Sequence, residues 1–568
     1  MDSRFTDAER LNTMLPRRVE RLQKTRACPA RPKAHDFSKN LAMNTLVMSE
    51  NRAVTKASLA LGSATLLSRI AGLARDIVIS RLFGVGLATD VFFAVFQIPN
   101  MLRRLFAEGS FSPAFTKTFT STLVNDGDNK ARELTNSCFT LLAIITAAIT
   151  LSGVLFSSAI IGVMLTGFKS DPAKFELAVT FNRLMIPYIF FISLVSLCTG
   201  ILNSLRHFFI PGISTLFLNL SIVLSALFLR KLFNEPTTAL AVGVLVGGCL
   251  QLAVQFTILM KIGFPIKPAF NFNLPGVHKI FKLMLPSAFG DGVYYLNLAV
   301  SAALSTLLPQ GSISFLYYAQ RFFEFPQGVV TASVTQSILP SISRLAAEGN
   351  IEGMKETISY CVQLTLLITV PAMVGLIVCA RPIISLVFMG GTFSYISAIN
   401  SASALMFYAI GLPFVAIARI ATRAFIALDD TKTPALLALI AFIINICLSI
   451  ILMPQLKHCG LALATSLTAL CNMVMLLWVL RRKVGAFNWR VIGLTAIKSG
   501  VASLPMGIVV WYGCAFMDWS QTGAKLMQGS VLAGLIISGC AIYMWVMKHL
   551  QSEEMVEALL RKHTHTYK

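Results

Sequence analysis

The chain has 568 residues, of which 55% are hydrophobic and only 13% are charged. Soluble domains carry about 25% charged residues, so the composition excludes a soluble domain and predicts a polytopic membrane protein. The net charge of +22 does not indicate nucleic-acid binding, because membrane proteins collect Lys and Arg in their cytoplasmic loops.

Residues 1–56 are polar and basic, and they contain no apolar run of signal-peptide length. We interpret them as a disordered cytoplasmic extension, or as the result of a start codon placed before the true start at Met43 or Met48. The predicted fold is all-α, with about fourteen apolar segments of spanning length. These segments are 57–83, 88–108, 136–164, 176–202, 209–230, 237–261, 278–307, 312–340, 356–380, 396–427, 434–453, 459–480, 491–516 and 525–548.

The loops predict the orientation of the chain in the membrane. Loops that follow even-numbered spans are the more basic ones, for example the run Arg481, Arg482 and Lys483 after the twelfth span. Basic loops stay in the cytoplasm, so we expect both termini, including the tail 551–568, on the cytoplasmic side.

Prolines recur along the chain at nearly constant offsets. Four prolines of the first half each have a counterpart in the second half. The pairs are Pro99 and Pro326, Pro113 and Pro340, Pro187 and Pro413, and Pro211 and Pro434, and their offsets are 227, 227, 226 and 223 residues. Six spans fit one period, which predicts two parallel six-helix repeats of the kind that flank a transporter site. We expect an N-lobe at 57–265, a C-lobe at 266–485, and a C-terminal helix pair at 486–550.

Several charged residues lie inside apolar spans, where a charge costs about 2.5–3.5 kcal/mol. Arg69 and Arg75 are in the first span, and Arg321 and Glu324 are in the eighth. The arginines either reach the lipid headgroups or line a central cavity, and Arg321 with Glu324 is alternatively an internal ion pair. Arginine donates two hydrogen bonds at once, so an arginine-lined cavity is suited to a diphosphate.

Other polar residues in the spans have competing interpretations. Asp90 begins the second span and is either a functional carboxylate or the N-cap of its own helix. Asp291 and Asn445 are lone polar residues that either bind a coupling cation or hydrogen-bond to each other. The sequence has no GxxxxGK[ST], no HExxH and no CxxC, so we expect no enzyme activity, cofactor or metal site.

Two motifs carry a family resemblance. SRIAGLARD with RLFGVGLATDVFFAVFQIPNMLRRLFAEGSFSPAF, and later YYAQRFFEFPQGVV, resemble the MurJ/MviN lipid II flippases of the multidrug/oligosaccharidyl-lipid/polysaccharide exporter superfamily. The resemblance extends from about residue 57 to residue 548. It implies fourteen helices in the bacterial inner membrane, and alternating access that moves undecaprenyl-diphosphate-linked disaccharide-pentapeptide (lipid II) to the outer leaflet for cell wall synthesis.

The resemblance also implies site residues. Arg69, Arg75 and Arg321 match the cavity arginines of the family, and Asp90 and Arg103 match other sensitive positions, with Glu324 in support. A cation site between three spans would use Asp291, Asn445 and Thr465, so we expect coupling to a monovalent cation or to the membrane potential. The last two spans match a groove for the polyprenyl tail. Gln320 departs from relatives that have an acid there. Membrane lipids and the cell wall synthesis machinery are the implied partners.

Three alternatives compete with this interpretation. The chain is alternatively an exporter of another polyprenyl-diphosphate-linked oligosaccharide, or a drug exporter of the same superfamily. A non-transporting scaffold would not need arginines inside its spans. An intramembrane glycosyl-transferring enzyme would need acids or histidines that converge at the membrane surface, and the sequence contains no such group.

Overall fold

The structure, a computed structural model, describes residues 62–64, 66–103, 111–328 and 332–550, without the side chains of 285–294, 332, 333 and 335–337. The predicted N-terminal extension and C-terminal tail lie outside the described residues. Contacts divide the chain into a unit that ends at Gly62 and a compact unit that begins at Ser63. The predicted lobe boundaries within the second unit stay predictions.

Helices make up almost all of the described first half of the chain. They are α1 (66–83), α2 (Leu87–Leu102), α3 (Ser112–Asp126), α4 (Asp128–Leu155), α5 (Ser157–Met164), α6 (Pro172–Met185), α7 (Tyr188–Ser204), α8 (Phe209–Phe228) and α9 (Thr238–Lys261). Short 3-10 turns at Thr166–Ser170 and Arg230–Leu232 connect some of them.

The described second half is also helical. Its helices are α10 (Pro275–Thr306), α11 (Ser312–Pro326), α12 (Ala332–Ala347), α13 (Ile351–Val378), α14 (Ala380–Phe388), α15 (Tyr395–Ile410), α16 (Leu412–Ala427), α17 (Lys432–Leu456), α18 (His458–Val484), α19 (Trp489–Ala515) and α20 (Lys525–Leu550). An isolated bridge between Gly390 and Phe393 is the only β-type pairing within the described ranges.

Nine segments of the described chain are long and apolar enough to cross a membrane, namely α4, the continuous α6–α7, α8, α9, α13, α17, α18, α19 and α20. The pair α15–α16, which bends by 41° at the break between its two helices, passes the same test only when the two are taken together. The all-α, polytopic fold class is confirmed. The other four predicted spans correspond to α1, α2, α10 and α11–α12, and these contain the charged residues that the sequence singled out.

Several prolines lie where helices are distorted. Pro187 lies at the break between α6 and α7, and Pro413 lies in the first turn of α16 at the 41° bend. Pro99 and Pro326 lie near the ends of α2 and α11, and a wider π-type turn follows each of them. Proline removes a donor and clashes with the preceding turn, which explains why the helices open at these places.

Aromatic packing joins the two halves of the chain. The ring of Phe93 on α2 stacks on Tyr317 of α11 with 3.8 Å between ring centroids, and it meets Tyr318 edge-on at 5.6 Å. The C-terminal pair α19–α20 packs on α13, where the Tyr543 hydroxyl donates to the Leu367 carbonyl at 2.7 Å. The interface between the halves therefore includes α2 and α11, and α10 also packs against α2.

Candidate functional site: a buried carboxylate–arginine cluster

One carboxylate, Asp76, ties α1 to α11. Its Oδ1 accepts from Nη2 of Arg75 at 2.7 Å and from the hydroxyl of Tyr317 at 3.0 Å. Its Oδ2 lies 3.0 Å from Nε of Arg321. Arg75 also donates to Asn219 of α8 at 3.1 Å and to Tyr317 at 2.8 Å. We call these five residues the Asp76 cluster.

Burial makes the charges of this cluster consequential. Asp76 is 1% exposed and Arg75 is 7% exposed, whereas the side chain of Arg321 is 33% exposed. Two arginines thus share one buried carboxylate, which leaves a formal excess of one positive charge. The predicted pair of Arg321 and Glu324 is present, but its 3.8 Å separation is longer than the contact with Asp76, and Glu324 is 44% exposed.

A cavity of about 100 Å³ lies beside the cluster, between α2, α5, α10 and α11. Arg321, Tyr317 and Glu324 contribute polar atoms to its lining, while Phe93 and Met164 contribute apolar surface. A cation and a hydrogen-bonding hydroxyl on an otherwise mixed wall can receive an anionic group that carries apolar neighbours. Arg321 is the arginine of the cluster that lines this cavity.

Arg69 does not join the Asp76 cluster. It is exposed, and its guanidinium lies against the backbone of Gly328, where any Cβ would overlap it. The neighbouring Gln327 accepts from Nη2 of Arg419 on α16 at 2.8 Å. Gly328 follows Tyr317 by eleven residues, or about 16 Å along a helix. Arg75 therefore contacts the middle of α11, at Tyr317, whereas Arg69 contacts the chain just beyond its C-terminal end, at Gly328.

Asp90 contacts the opposite half of the chain at a different place. Its carboxylate accepts from the backbone N–H of Gly311 at 2.5 Å and of Ser314 at 2.8 Å, and from the Ser314 hydroxyl at 2.6 Å. The interpretation that Asp90 caps its own helix is wrong. The N-cap of α2 is Gly86, whose N–H donates to the side chain of Thr89, and Asp90 instead caps the start of α11.

Arg103 lies at the end of α2, where it donates to the Oδ1 of Asn100 at 2.9 Å and 3.1 Å. Asn100 lines the cavity, so Arg103 orients one of its polar walls. Arg104 and Glu108, which also lie in the predicted second span, are outside the described residues. The site roles predicted for Arg103 and Glu324 stay predictions.

The predicted cation site involves α10, α17 and α18, which pack against one another. Asn445 is buried and donates to Thr468 at 3.3 Å, while Thr465 donates to the Leu461 carbonyl of its own helix at 2.9 Å. The side chain of Asp291 lies outside the described residues. Among the described residues, no cluster of His, Cys, Asp and Glu could hold a metal ion. A site for a monovalent cation stays a prediction.

Sequence reasoning missed the role of several residues. Asp76 lies in the first predicted span, and Tyr317 lies one turn before Arg321, but the sequence indicates no partner for either residue. Arg419 lies inside the predicted span 396–427, so a charge in an apolar span, the signal that revealed Arg69, was also available there. Asn219 carries no comparable signal, because its contact with Arg75 depends on how α8 packs against α1.

The helices and the charged interface define a multi-pass membrane protein built like a transporter. A multidrug resistance MATE family transporter in an inward-facing conformation has the same fold, with a TM-score of 0.60 at 14% identity over 75% of this chain and 98% of that one. The structure titled "Lipid II flippase MurJ, inward closed conformation" matches with a TM-score of 0.73 at 27% identity, over 89% of this chain and all of that chain.

Sequence comparison identifies the family. The family described as "Lipid II flippase MurJ" matches residues 79–527. The "Probable lipid II flippase MurJ" of Vibrio cholerae serotype O1 is 33% identical over 505 residues, which cover 88% of this chain and 96% of the relative. The "Lipid II flippase MurJ" of Burkholderia cenocepacia is 31% identical, over 87% and 97%. The chain belongs to the lipid II flippase MurJ family.

Proposed function

We propose that this protein flips lipid II from the inner to the outer leaflet of the bacterial inner membrane by alternating access. Family membership supports the substrate, and the Asp76 cluster is the observation that carries the mechanism. A diphosphate that crosses an apolar bilayer needs its charge balanced throughout the passage. Arg75 and Arg321 come from the two halves of the chain, so they can supply that balance at the interface between them.

The partial exposure of Arg321 gives it the first contact with the headgroup in this mechanism. Its guanidinium is bound to Asp76 and Tyr317, so an entering diphosphate competes with a carboxylate that is already in place. Exchange of one anion for another keeps the arginines paired at each step, which avoids the cost of a buried, unpaired charge. In this mechanism Asp76 therefore occupies, in the absence of substrate, the place at the arginines that the substrate phosphate takes.

The contact of Asp90 with α11 closes one end of the interface, which we call the Asp90 end. α1 ends there, and α2 and α11 begin there. Both termini lie in the cytoplasm in this proposal, because the loops after even-numbered spans are basic. The Asp90 end is then the outer end, and the described conformation is closed to the outside. A cation or the membrane potential would drive the return from the opposite state.

The arginines provide the test. Arg69→Ala, Arg75→Ala and Arg321→Ala should each abolish lipid II export in cells depleted of other flippase activity. Arg75 and Arg321 balance the diphosphate at the Asp76 cluster, and Arg69 supplies a further positive charge where α1 meets Gly328. Arg→Lys should restore export in part, since lysine keeps the charge but not the planar pair of donors. Lipid II on each leaflet, measured in spheroplasts, is the readout.

Arg344→Ala is the matched control, because Arg344 is exposed and, among the described residues, forms its ion pair with Glu348, four residues further along the chain. It should leave export unchanged. If the three arginine variants, made singly and together, exported lipid II at the normal rate and at normal expression, the proposed function of the arginines would be wrong.

A further inference from the structure

Two turns dock across the interface at the Asp90 end. The turn 165–171, after α5, contacts the end of α10, where the N–H of Gly167 donates to Oγ1 of Thr306 at 3.0 Å. The turn 389–394, after α14, contacts the end of α1, where the N–H of Thr392 donates to the carbonyl of Arg81 at 3.0 Å. Each half of the chain thus places one turn on the other half.

Glycines allow the close approach of the turn 389–394. Gly390 and Gly391 have φ of 129° and 59°, which side-chain-bearing residues rarely adopt. A Cβ on Gly391 would overlap the Arg81 carbonyl, and a Cβ on Gly84 would lie 2.6 Å from the carbonyl oxygen of Thr392. The backbones therefore touch directly, and this contact breaks whenever the Asp90 end opens.

In the described structure, the start of α20 contacts the turn 389–394 and not the turn 165–171. Lys525, the first residue of α20, donates from Nζ to the carbonyl of Leu386 at 3.3 Å and to the carbonyl of Met389. These carbonyls belong to the last turn of α14 and its C-cap, which is where a helix favours a cation. Lys525 therefore fixes the start of the turn 389–394.

The region around Lys525, formed by the start of α20 and the loop before it, is well packed. Gln528, one turn further along α20, is fully buried and donates to the carbonyls of Asp518 and Gln521, both at 3.0 Å. Cys379, Cys514 and Leu532 belong to an apolar cluster that joins α14 to the C-terminal pair at this end. Because this region is closely packed, a shift of α20 moves the turn 389–394 with it.

We propose that Lys525 is a positioning residue for closure of the Asp90 end, and that it couples the C-terminal pair α19–α20 to the opening of the interface. The role of this coupling in transport rests on the proposed function. It requires that the closed state lose stability when Lys525 no longer binds the carbonyls of α14. The turn 165–171, which Lys525 does not contact in the described structure, provides an internal reference.

Thiol labelling of the purified full-length protein in lipid nanodiscs tests the proposal. Ser80 is fully buried beneath the turn. Its hydroxyl donates to the Ile77 carbonyl of its own helix at 2.9 Å, and its Oγ also lies 3.3 Å from the Phe388 carbonyl. A cysteine introduced by Ser80→Cys should react with a methanethiosulfonate reagent only when the Asp90 end opens. Peptide mass spectrometry reads the label at position 80 separately from native cysteines.

Lys525→Met should raise the labelling rate at least about tenfold, because both charge-assisted hydrogen bonds from Nζ to the carbonyls of Leu386 and Met389 are lost from the closed state. Lys525→Arg, which keeps the cation, should restore the parent rate. Lys548→Met, at the exposed opposite end of α20, is the matched control and should leave the rate unchanged.

An unchanged rate in Lys525→Met would overturn the proposal. An equal rise in Lys548→Met would also overturn it, because the effect would then be a general loosening of α20. The labelling needs no substrate and no assigned orientation. It therefore reports on Lys525 even if the arginine variants contradict the proposed function.

Discussion

Asp76 and Asp90 are buried carboxylates from the first half of the chain, and both reach α11 in the second half. Asp76 contacts charged and hydroxyl-bearing side chains, namely Arg75, Arg321 and Tyr317. Asp90 contacts neutral groups, namely two backbone N–H groups at the start of α11 and the hydroxyl of Ser314. One carboxylate balances charge, and the other caps a helix.

The difference has a mechanistic consequence. The partners of Asp76 are side chains that can turn toward another anion while the helices stay in place. The partners of Asp90 are mostly backbone groups, whose positions are set by α11, so its contacts break only when the helix end moves away. Asp76 is therefore suited to exchange with a substrate, and Asp90 to hold the halves closed.

Removal of Asp76 should have the largest effect on stability. Asp76→Ala leaves Arg75 buried without its carboxylate, and the loss of one partner of a buried pair costs about 3–5 kcal/mol. The thermal unfolding midpoint of the purified protein measures this loss. The double variant Asp76→Ala with Arg75→Met should recover part of the stability, because the unpaired buried charge is then gone.

A comparable loss in the double variant and in Asp76→Ala alone would contradict the charge-balance role of Asp76. The comparison with Asp90 would then lose its basis, because both carboxylates would act as local hydrogen-bond acceptors.

Removal of Asp90 should have a smaller effect on stability, of about 2–3 kcal/mol, because hydrogen bonds to a charged group are lost but no charge remains behind. Asp90→Ala leaves the N–H groups of Gly311 and Ser314 without their acceptor. Asp90→Asn keeps one acceptor oxygen and should lie between the parent and Asp90→Ala in thermal unfolding. If Asp90→Asn lowered the unfolding midpoint more than Asp90→Ala, the main contribution of Asp90 to stability would be its packing and not the hydrogen bonds that it accepts.

The sequence predicted the spans and the charged residues better than it predicted the contacts between them. Charges in apolar runs revealed Arg69, Arg75 and Arg321, because such charges are costly unless they have a partner. The choice of partner depends on the approach of α11 to α1. For that reason the local pair of Arg321 and Glu324 was predicted, and the closer contact with Asp76 was not.

Asp90 illustrates the same limit. An acid in the first turn of a helix predicts a local cap, and nothing in the adjacent sequence indicates a distant helix as the recipient. Here Gly86 and Thr89 already satisfy the start of α2, which leaves the carboxylate free to cap α11. Arg69 and Arg75 lie six residues apart on α1, about 9 Å along a helix, and they contact different residues, Gly328 and Tyr317.

The hydroxyl of Ser314 is the smallest part of the Asp90 contact, and it separates backbone from side-chain contributions. Ser314→Ala removes the 2.6 Å bond to Oδ1 of Asp90, while the N–H of Gly311 and that of residue 314 still donate to the carboxylate. We expect the free energy of unfolding, measured by thermal unfolding, to fall by about 1 kcal/mol, the usual net value of one hydrogen bond.

Ser305→Ala is the matched control, because Ser305 is also buried and its hydroxyl donates to the Ala302 carbonyl within its own helix. It should cost a similar amount of stability without changing the labelling of a cysteine at position 80, whereas Ser314→Ala should raise that labelling. If Ser314→Ala instead equalled Asp90→Ala in both measurements, the hydroxyl and not the helix end would hold the two halves together, and the contrast between Asp76 and Asp90 would disappear.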